Sequence, residues 1–154
     1  MSTLPWSIGD AMRAQDVIKA QLFLTAWKES GGKAGIAGEI IARCLANRVR
    51  RNMGNWPEVL LNVPRYRANE PEPLPDMPNL WDPQVMRLMQ QIENVYDNAG
   101  EDPSNGGLYW CFTERGANPW FKEFVIGSDK LAVTAIQNSL KVWGEKTMIG
   151  RTLW

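Results

Sequence analysis

The stretch LTAWKESGGKAG, Leu24 to Gly35, sets a carboxylate in an unfavourable place. Ile18, Leu22 and Ala26 recur in steps of four, the spacing of one helix face. Glu29 falls three beyond Ala26, on the same stripe. Gly31 and Gly32 follow and supply a helix stop. Glu29 thus belongs to a last turn, where unpaired carbonyls carry negative partial charge and disfavour a carboxylate by about 0.3–1 kcal/mol. The apolar side of the stripe adds desolvation, which also disfavours the charged form. Both effects raise its pKa. An acid that keeps its proton near neutral pH is what protonation of a glycosidic oxygen requires, so the placement predicts a general acid. The competing reading is a solvated glutamate at a fraying helix end.

The composition narrows the chemistry by exclusion. The chain has no histidine, which removes Ser-His-Asp and Cys-His catalysis and histidine-based metal sites together. Cys44 and Cys111 are the only cysteines, and Cys44, in a helical pattern, reads as a small buried hydrophobe rather than part of a disulfide framework. Formal net charge is zero, with no basic excess to favour nucleic acid as a partner. No apolar run reaches the length of about 20 residues that spans a bilayer, so no membrane span is expected. The start, MSTLPWSIGD, lacks the basic residues and apolar stretch of a secretion leader, which predicts synthesis in the cytoplasm. A chain of 154 residues, 44% hydrophobic, suffices for one domain over residues 1–154. Its eight tryptophans suit core packing and sugar stacking equally.

Several elements must position Glu29. Asp10 caps a helix running to about Ser30. A second helix is predicted from about Ala37 to Arg51, with Ile40, Ile41, Cys44, Leu45 and Arg48 or Val49 on a broad face. Asn47, seven beyond Ile40, points near that face. NWPEVLLN reads as a short helix with Asn55 or Trp56 as cap and Pro57 in its first turn. Between Pro64 and Pro83 a proline every few residues forbids a helix or central strand and predicts a loop. Asp82-Pro83 opens a third long helix, with Val85, Leu88 or Met89, Ile92 and Val95 or Tyr96 on one side, ending at Gly100. EDPSNGG reads as a turn. LYWCFTE and FKEFVIG read as strands joined by RGANPW in a hairpin. DKLAVTAIQNSLKVWG reads as a helix and TMIGRTLW as a closing strand. The expected fold class is α+β, mainly α, with a small antiparallel sheet.

Four pieces in order resemble the SleB-type cell wall hydrolase domain. In ESGGKAGIAGEIIARCLANRVR, Glu29 stands where that family opens an E-A-x-G-E motif, and Asn47-Arg48-Val49 match the hydrophobic-L-N-R-V end of the following helix at the same spacing. NWPEVLLNV resembles the F-P-x-T-V-x-x-V-I stretch, DPSNGGLYWCF the D-P-T-x-G-A-x-x-F turn and strand, and ANPW the tryptophan after it. The similarity covers about Ala20 to Trp120. The family's second acid is Lys33 here, and IGRTLW places Thr152 where its closing I-G-x-H-x-F has histidine.

The resemblance implies a lysozyme-like helical core and cleavage of peptidoglycan glycan strands by a lytic transglycosylase, with Glu29 as acid and then base and no metal or cofactor. It implies action at the bacterial cell wall, and the lack of a secretion leader in MSTLPWSIGD fits a phage lysis or virion-associated enzyme and equally an inactive structural protein. Two alternatives stay open: a non-catalytic peptidoglycan-binding or phage tail module, and a muramidase that uses water, with Glu114 as partner acid. Asn47 is expected to be a structural bond between the first helix end and the second helix. Tyr109 and Trp110 point to opposite faces of a strand, one of them core. The resemblance favours the Tyr109 side, or Phe112, for substrate. Glu114 ends that strand, as a second acid or a solvated hairpin end. Trp120 either stacks on sugar or staples the hairpin. Tyr66 in the proline-rich loop is a candidate cover for the groove, with Arg65 and Arg67 facing stem-peptide carboxylates, or the loop is a solvated connector.

Overall fold

The computed structural model describes residues 8–30, 36–63, 78–112, 121–137 and 146–152. Four α-helices come first: α1 (Ile8–Glu29), α2 (Ile36–Arg50), α3 (Trp56–Asn62) and α4 (Pro83–Tyr96). Their ends follow local chemistry. The Asn55 side chain accepts from the Glu58 amide at 3.0 Å to cap α3, whose first turn holds Pro57. Asp82 accepts from the Gln84 amide at 2.8 Å to cap α4, with Pro83 opening that helix. Both α2 and α4 stop at an asparagine in the left-handed region, Asn52 (φ 59°) and Asn98 (φ 56°). Beyond each, an amide reaches back to the helix: Met53 N to the Arg48 carbonyl at 3.0 Å and Ala99 N to the Asn94 carbonyl at 2.8 Å. The helix end sought at Gly100 therefore comes earlier, because asparagine as well as glycine tolerates this conformation.

α2 is the central helix. It packs against α1, α3, α4 and the first strand, so its burial extends from Gly38 through Arg48 with few breaks. Leu22, Phe23 and Ala26 of α1, Ile41, Leu45 and Ala46 of α2, Val59 of α3, and Val85, Leu88, Ile92 and Val95 of α4 form one core. Each fully buried leucine or isoleucine there contributes about 1.5–3 kcal/mol relative to exposure.

The second half carries a three-stranded antiparallel sheet, β1 (Gly107–Phe112), β2 (Leu131–Gln137) and β3 (Lys146–Thr152), in the order β1-β3-β2. One face lays Ile149 and Trp110 on Ile36, Ile40 and Cys44 of α2. The other carries Tyr109 and Leu131, which pack on Phe121 and Val125. Val125 belongs to a π-helical turn, Lys122–Ile126, pressed onto the sheet. Gly150 permits this approach: a Cβ there would lie 2.4 Å from Val125 Cγ1. The architecture is α+β and mainly α. Among the described residues no helix is long and apolar enough to cross a membrane.

Three expectations are corrected. Asp10 does not cap the first helix, because α1 begins at Ile8 and takes Asp10 into its first turn. FKEFVIG is not a strand. Phe121 and Val125, four apart and both fully buried, turn inward together as one helical turn, leaving Phe124 and Ile126 exposed. Strand β1 accordingly pairs with β3, not with a hairpin neighbour. DKLAVTAIQNSLKVWG is not a helix over its described part, because Leu131–Gln137 pairs with β3 along its whole length. The β-branched Val133, Thr134 and Ile136 favour the extended state, and the partner strand lies beyond any local window.

Candidate functional site

Glu29 is the last residue of α1 and is half-buried. The stripe leading to it is apolar, as its spacing requires: Leu22 and Ala26 are fully buried. Ser30 follows, also fully buried. Its amide donates to the Ala26 carbonyl at 3.0 Å and its hydroxyl to the Trp27 carbonyl at 3.0 Å. Ser30 thus satisfies two carbonyls of the last turn of α1, and the carboxylate sits where the helix dipole is negative.

The end of α2 is tied differently. Asn47 Nδ2 donates to Asp102 Oδ2 at 2.9 Å and to the Gly107 carbonyl at 3.0 Å, with Ser104 Oγ at 3.5 Å. Asn47 is therefore a structural bond, as expected, but its partners are the Asp102–Gly107 turn and not the end of the first helix. Asp102 gathers that turn. It also accepts from the Ser104 amide (2.8 Å), the Ser104 hydroxyl (2.6 Å) and the Gly106 amide (3.0 Å). Burial alone pushes its carboxyl upward. The hydrogen bonds from Ser104, Asn47 and the Gly106 amide outweigh this and hold it below the ordinary value.

Arg48 comes next along α2. It is 3% exposed and donates from Nε to the Leu108 carbonyl at 2.8 Å. Leu108 is the extra residue of a β-bulge, since Gly107 faces Arg151 while Tyr109 faces Gly150. Asn47 and Arg48 together take the Gly107 and Leu108 carbonyls of an edge strand. The Arg48 guanidinium carbon also lies 5.0 Å from the Tyr109 ring centre and 5.1 Å from that of Trp110. Both rings are half-buried, on opposite faces as the strand period requires, and Trp110 is the one turned to the helical core.

Two further titratable groups stand on α2. Glu39 is half-buried and accepts from Gln91 Nε2 of α4 at 2.9 Å. Burial raises its pKa, against the opposing pull of Arg43 and Arg87. Burial pushes the Cys44 thiol up to about 12, so it behaves as the small hydrophobe its pattern predicts. Among the described residues no group of three or more histidine, cysteine, aspartate or glutamate side chains is placed to hold a metal ion.

Of the residues singled out in the sequence, the structure places Glu29, Asn47 and Tyr109. Tyr66, Glu114 and Trp120 lie outside the described residues, as do Arg65, Arg67 and Lys33. The sequence reading missed Asp102 as the centre of the turn and Arg48 as the partner of two aromatic rings. The signal for Asp102 was present, because an aspartate two residues before a serine amide is a common turn-forming pattern. No protein-family model matches the chain, and neither does any curated protein or solved structure.

Proposed function

We propose that this protein cleaves the glycan strand of peptidoglycan as a lytic transglycosylase, with Glu29 as the single acid and base. The observation that carries the reading is the half-buried carboxylate closing α1 directly after the buried positions Leu22 and Ala26. A second observation supports it. Two stretches on which the family resemblance rests, CLANRVR and DPSNGGLYW, are bonded to each other through Asn47 and Arg48.

In this mechanism Glu29 donates its proton to the glycosidic oxygen between N-acetylmuramic acid and N-acetylglucosamine. The bond from the muramoyl anomeric carbon to that oxygen breaks, and the glucosamine end leaves as an alcohol. The carboxylate then takes the proton of the muramoyl C6 hydroxyl, whose oxygen bonds to the anomeric carbon. The product is a 1,6-anhydro sugar, and Glu29 ends protonated. The substrate supplies its own nucleophile, so one carboxyl group suffices where two-acid hydrolases keep a pair about 5–9.5 Å apart.

Mass analysis of products from purified peptidoglycan tests this. Anhydro-muropeptides are expected from the wild type and none from Glu29→Gln. Reducing ends would replace the reading with a muramidase. Binding without products would replace it with a non-catalytic wall-binding module.

A further inference from the structure

The sheet has two edges, and they differ in how they are protected. β1 forms one edge. It carries a bulge at Leu108, and its Gly107 and Leu108 carbonyls accept from Asn47 and Arg48 of α2. A bulge and a covering helix are two means by which an edge strand is kept from pairing with another chain. β2 forms the other edge. It pairs with β3 from Leu131 to Gln137 without a shift in register. Its sequence, LAVTAIQ, holds no proline, no glycine and no charged residue. Among the described residues no second strand pairs with its outer row of amides and carbonyls. Val133 in this strand is 37% exposed, and Ile126, of the π-helical turn that packs beside the strand, is 47% exposed. A regular, uncharged edge bordered by exposed apolar side chains is a surface for strand addition.

We propose that β2 is the seam of a symmetric homodimer, in which it pairs antiparallel with β2 of a second copy and joins the two sheets into one. The residues of the strand point to its own copy as the occupant. A two-fold axis at Thr134 sets Thr134 against Thr134, position 133 against 135 and position 132 against 136. The last two pairs read valine with alanine and alanine with isoleucine, so a branched residue meets a small one in each. Threonine opposite threonine is itself a favourable cross-strand pair. Charge complementarity holds as well. The strand brings no charge to the seam, and the charges just before it, Asp129 and Lys130, fall at opposite ends in the two copies. With a rise of about 3.4 Å per residue, the two Lys130 positions stand roughly 27 Å apart, beyond effective repulsion at physiological salt. The seam gives the outer row of backbone groups its partners and gives Val133 a cross-strand neighbour.

Sedimentation of the full chain over a concentration series tests this. The wild type is expected to run as a dimer that dissociates on dilution. Thr134→Lys and Thr134→Glu each set like charges directly opposite one another at the axis, and each is expected to weaken association by roughly a hundredfold. Mixed one to one, the two variants set lysine against glutamate, and a heterodimer should return. That rescue depends on the register and on both variants being folded, so a merely structural effect of either substitution would not produce it. Circular dichroism checks the fold of each variant alone. Should position 134 not tolerate a charge, Val133→Lys places one at the exposed neighbour, where the two copies lie diagonally across the seam, and it should also weaken association. A wild type that stays monomeric up to millimolar concentration would overturn the proposal. So would a dimer that survives the charge changes, or folded Thr134 variants that remain monomeric when mixed.

Discussion

The ends of α1 and α2 are held by opposite means. Ser30 closes α1 by bonding back to Ala26 and Trp27, within one turn. α2 reaches across the molecule. Asn47 and Arg48 bond residues 55 to 60 positions away, and Arg43 and Arg50 donate to the Ala99 and Val95 carbonyls at 2.6 and 2.8 Å, at the far end of α4. Those two arginines also bring positive charge to the negative end of that helix dipole. The difference separates two kinds of polar residue. On α2 the polar groups assemble the fold, so their loss should be read as stability. At the end of α1 Ser30 closes the turn locally, and the half-buried carboxylate beside it is the group on which the proposed chemistry rests.

The largest expected effect sharpens this contrast. Glu29→Gln keeps the shape of a half-buried side chain and removes the carboxyl proton. General acid–base participation is worth typically about 10²–10⁴-fold in rate. Cleavage of purified peptidoglycan is expected to fall by that factor, with a melting temperature unchanged within error. A folded variant that clears the wall at the wild-type rate would remove Glu29 from the chemistry.

Asn47→Ala is the converse case. It takes one of two donors from Asp102 Oδ2, which keeps the Gly106 amide, and removes the Asn47 donor from the Gly107 carbonyl, a loss of about 1–3 kcal/mol. Urea unfolding should report that loss, while turnover per folded molecule stays near wild type. Activity lost at unchanged stability would move Asn47 from scaffold to substrate contact. Gly150→Ala tests the sheet end of the same scaffold. The new Cβ meets Val125 Cγ1 at 2.4 Å, an overpacking worth about 1–3 kcal/mol, so a folded variant with no loss would place the π-helical turn elsewhere.

The two halves also differ in how far their residues announce them. Helices α1 to α4 were legible because their apolar positions repeat locally and their caps, Asn55 and Asp82, stand at the start of the pattern. The sheet half was not. Phe121 and Val125 fit either one helical turn or alternate strand positions, and what decides is their packing on Tyr109 and Leu131. Leu131–Gln137 likewise carries helical and extended spacings at once, and its pairing with β3 settles the choice. At the site, Glu29 was visible because one residue broke a regular stripe. Asp102 was not singled out, and Arg48 was named only for its place on the second helix, because their roles come from contacts with residues far along the chain.

Asp102 gives the contrast a pH dependence. Its folded pKa is depressed below the ordinary value of 3.8. The carboxylate therefore contributes stability that is fully present above the unfolded pKa and is lost as pH falls through the folded value. Glu39 works in the opposite sense, since its folded pKa is raised and protonation relieves its burial. Subtracting an Asp102→Asn variant isolates the first effect. The difference in urea midpoint between wild type and variant should be greatest near neutral pH and shrink below about pH 4. A difference independent of pH would assign the hub of the turn to shape rather than charge.

The smallest effect is expected at a pair that looks on distance alone like the strongest. Lys19 Nζ lies 2.7 Å from Glu93 Oε2 and 5.2 Å from the centre of the Tyr96 ring, bridging α1 and α4. The Arg48 contacts to Tyr109 and Trp110, at 5.0 and 5.1 Å, have almost the same length. Solvation separates them. The Glu93 side chain is half exposed, so water and salt screen its attraction for the ammonium, and holding two long side chains together opposes what remains. Arg48 is buried, where the same contacts are not screened and their loss leaves a carbonyl without its donor. Lys19→Ala should therefore leave the urea midpoint within error at physiological salt, with a small drop appearing only at low ionic strength. Arg48→Met, which fills much of the same volume without donor or charge, should lower the midpoint clearly at both salt concentrations. Equal shifts for the two variants would show that distance, and not burial, governs the cationic contacts of this fold.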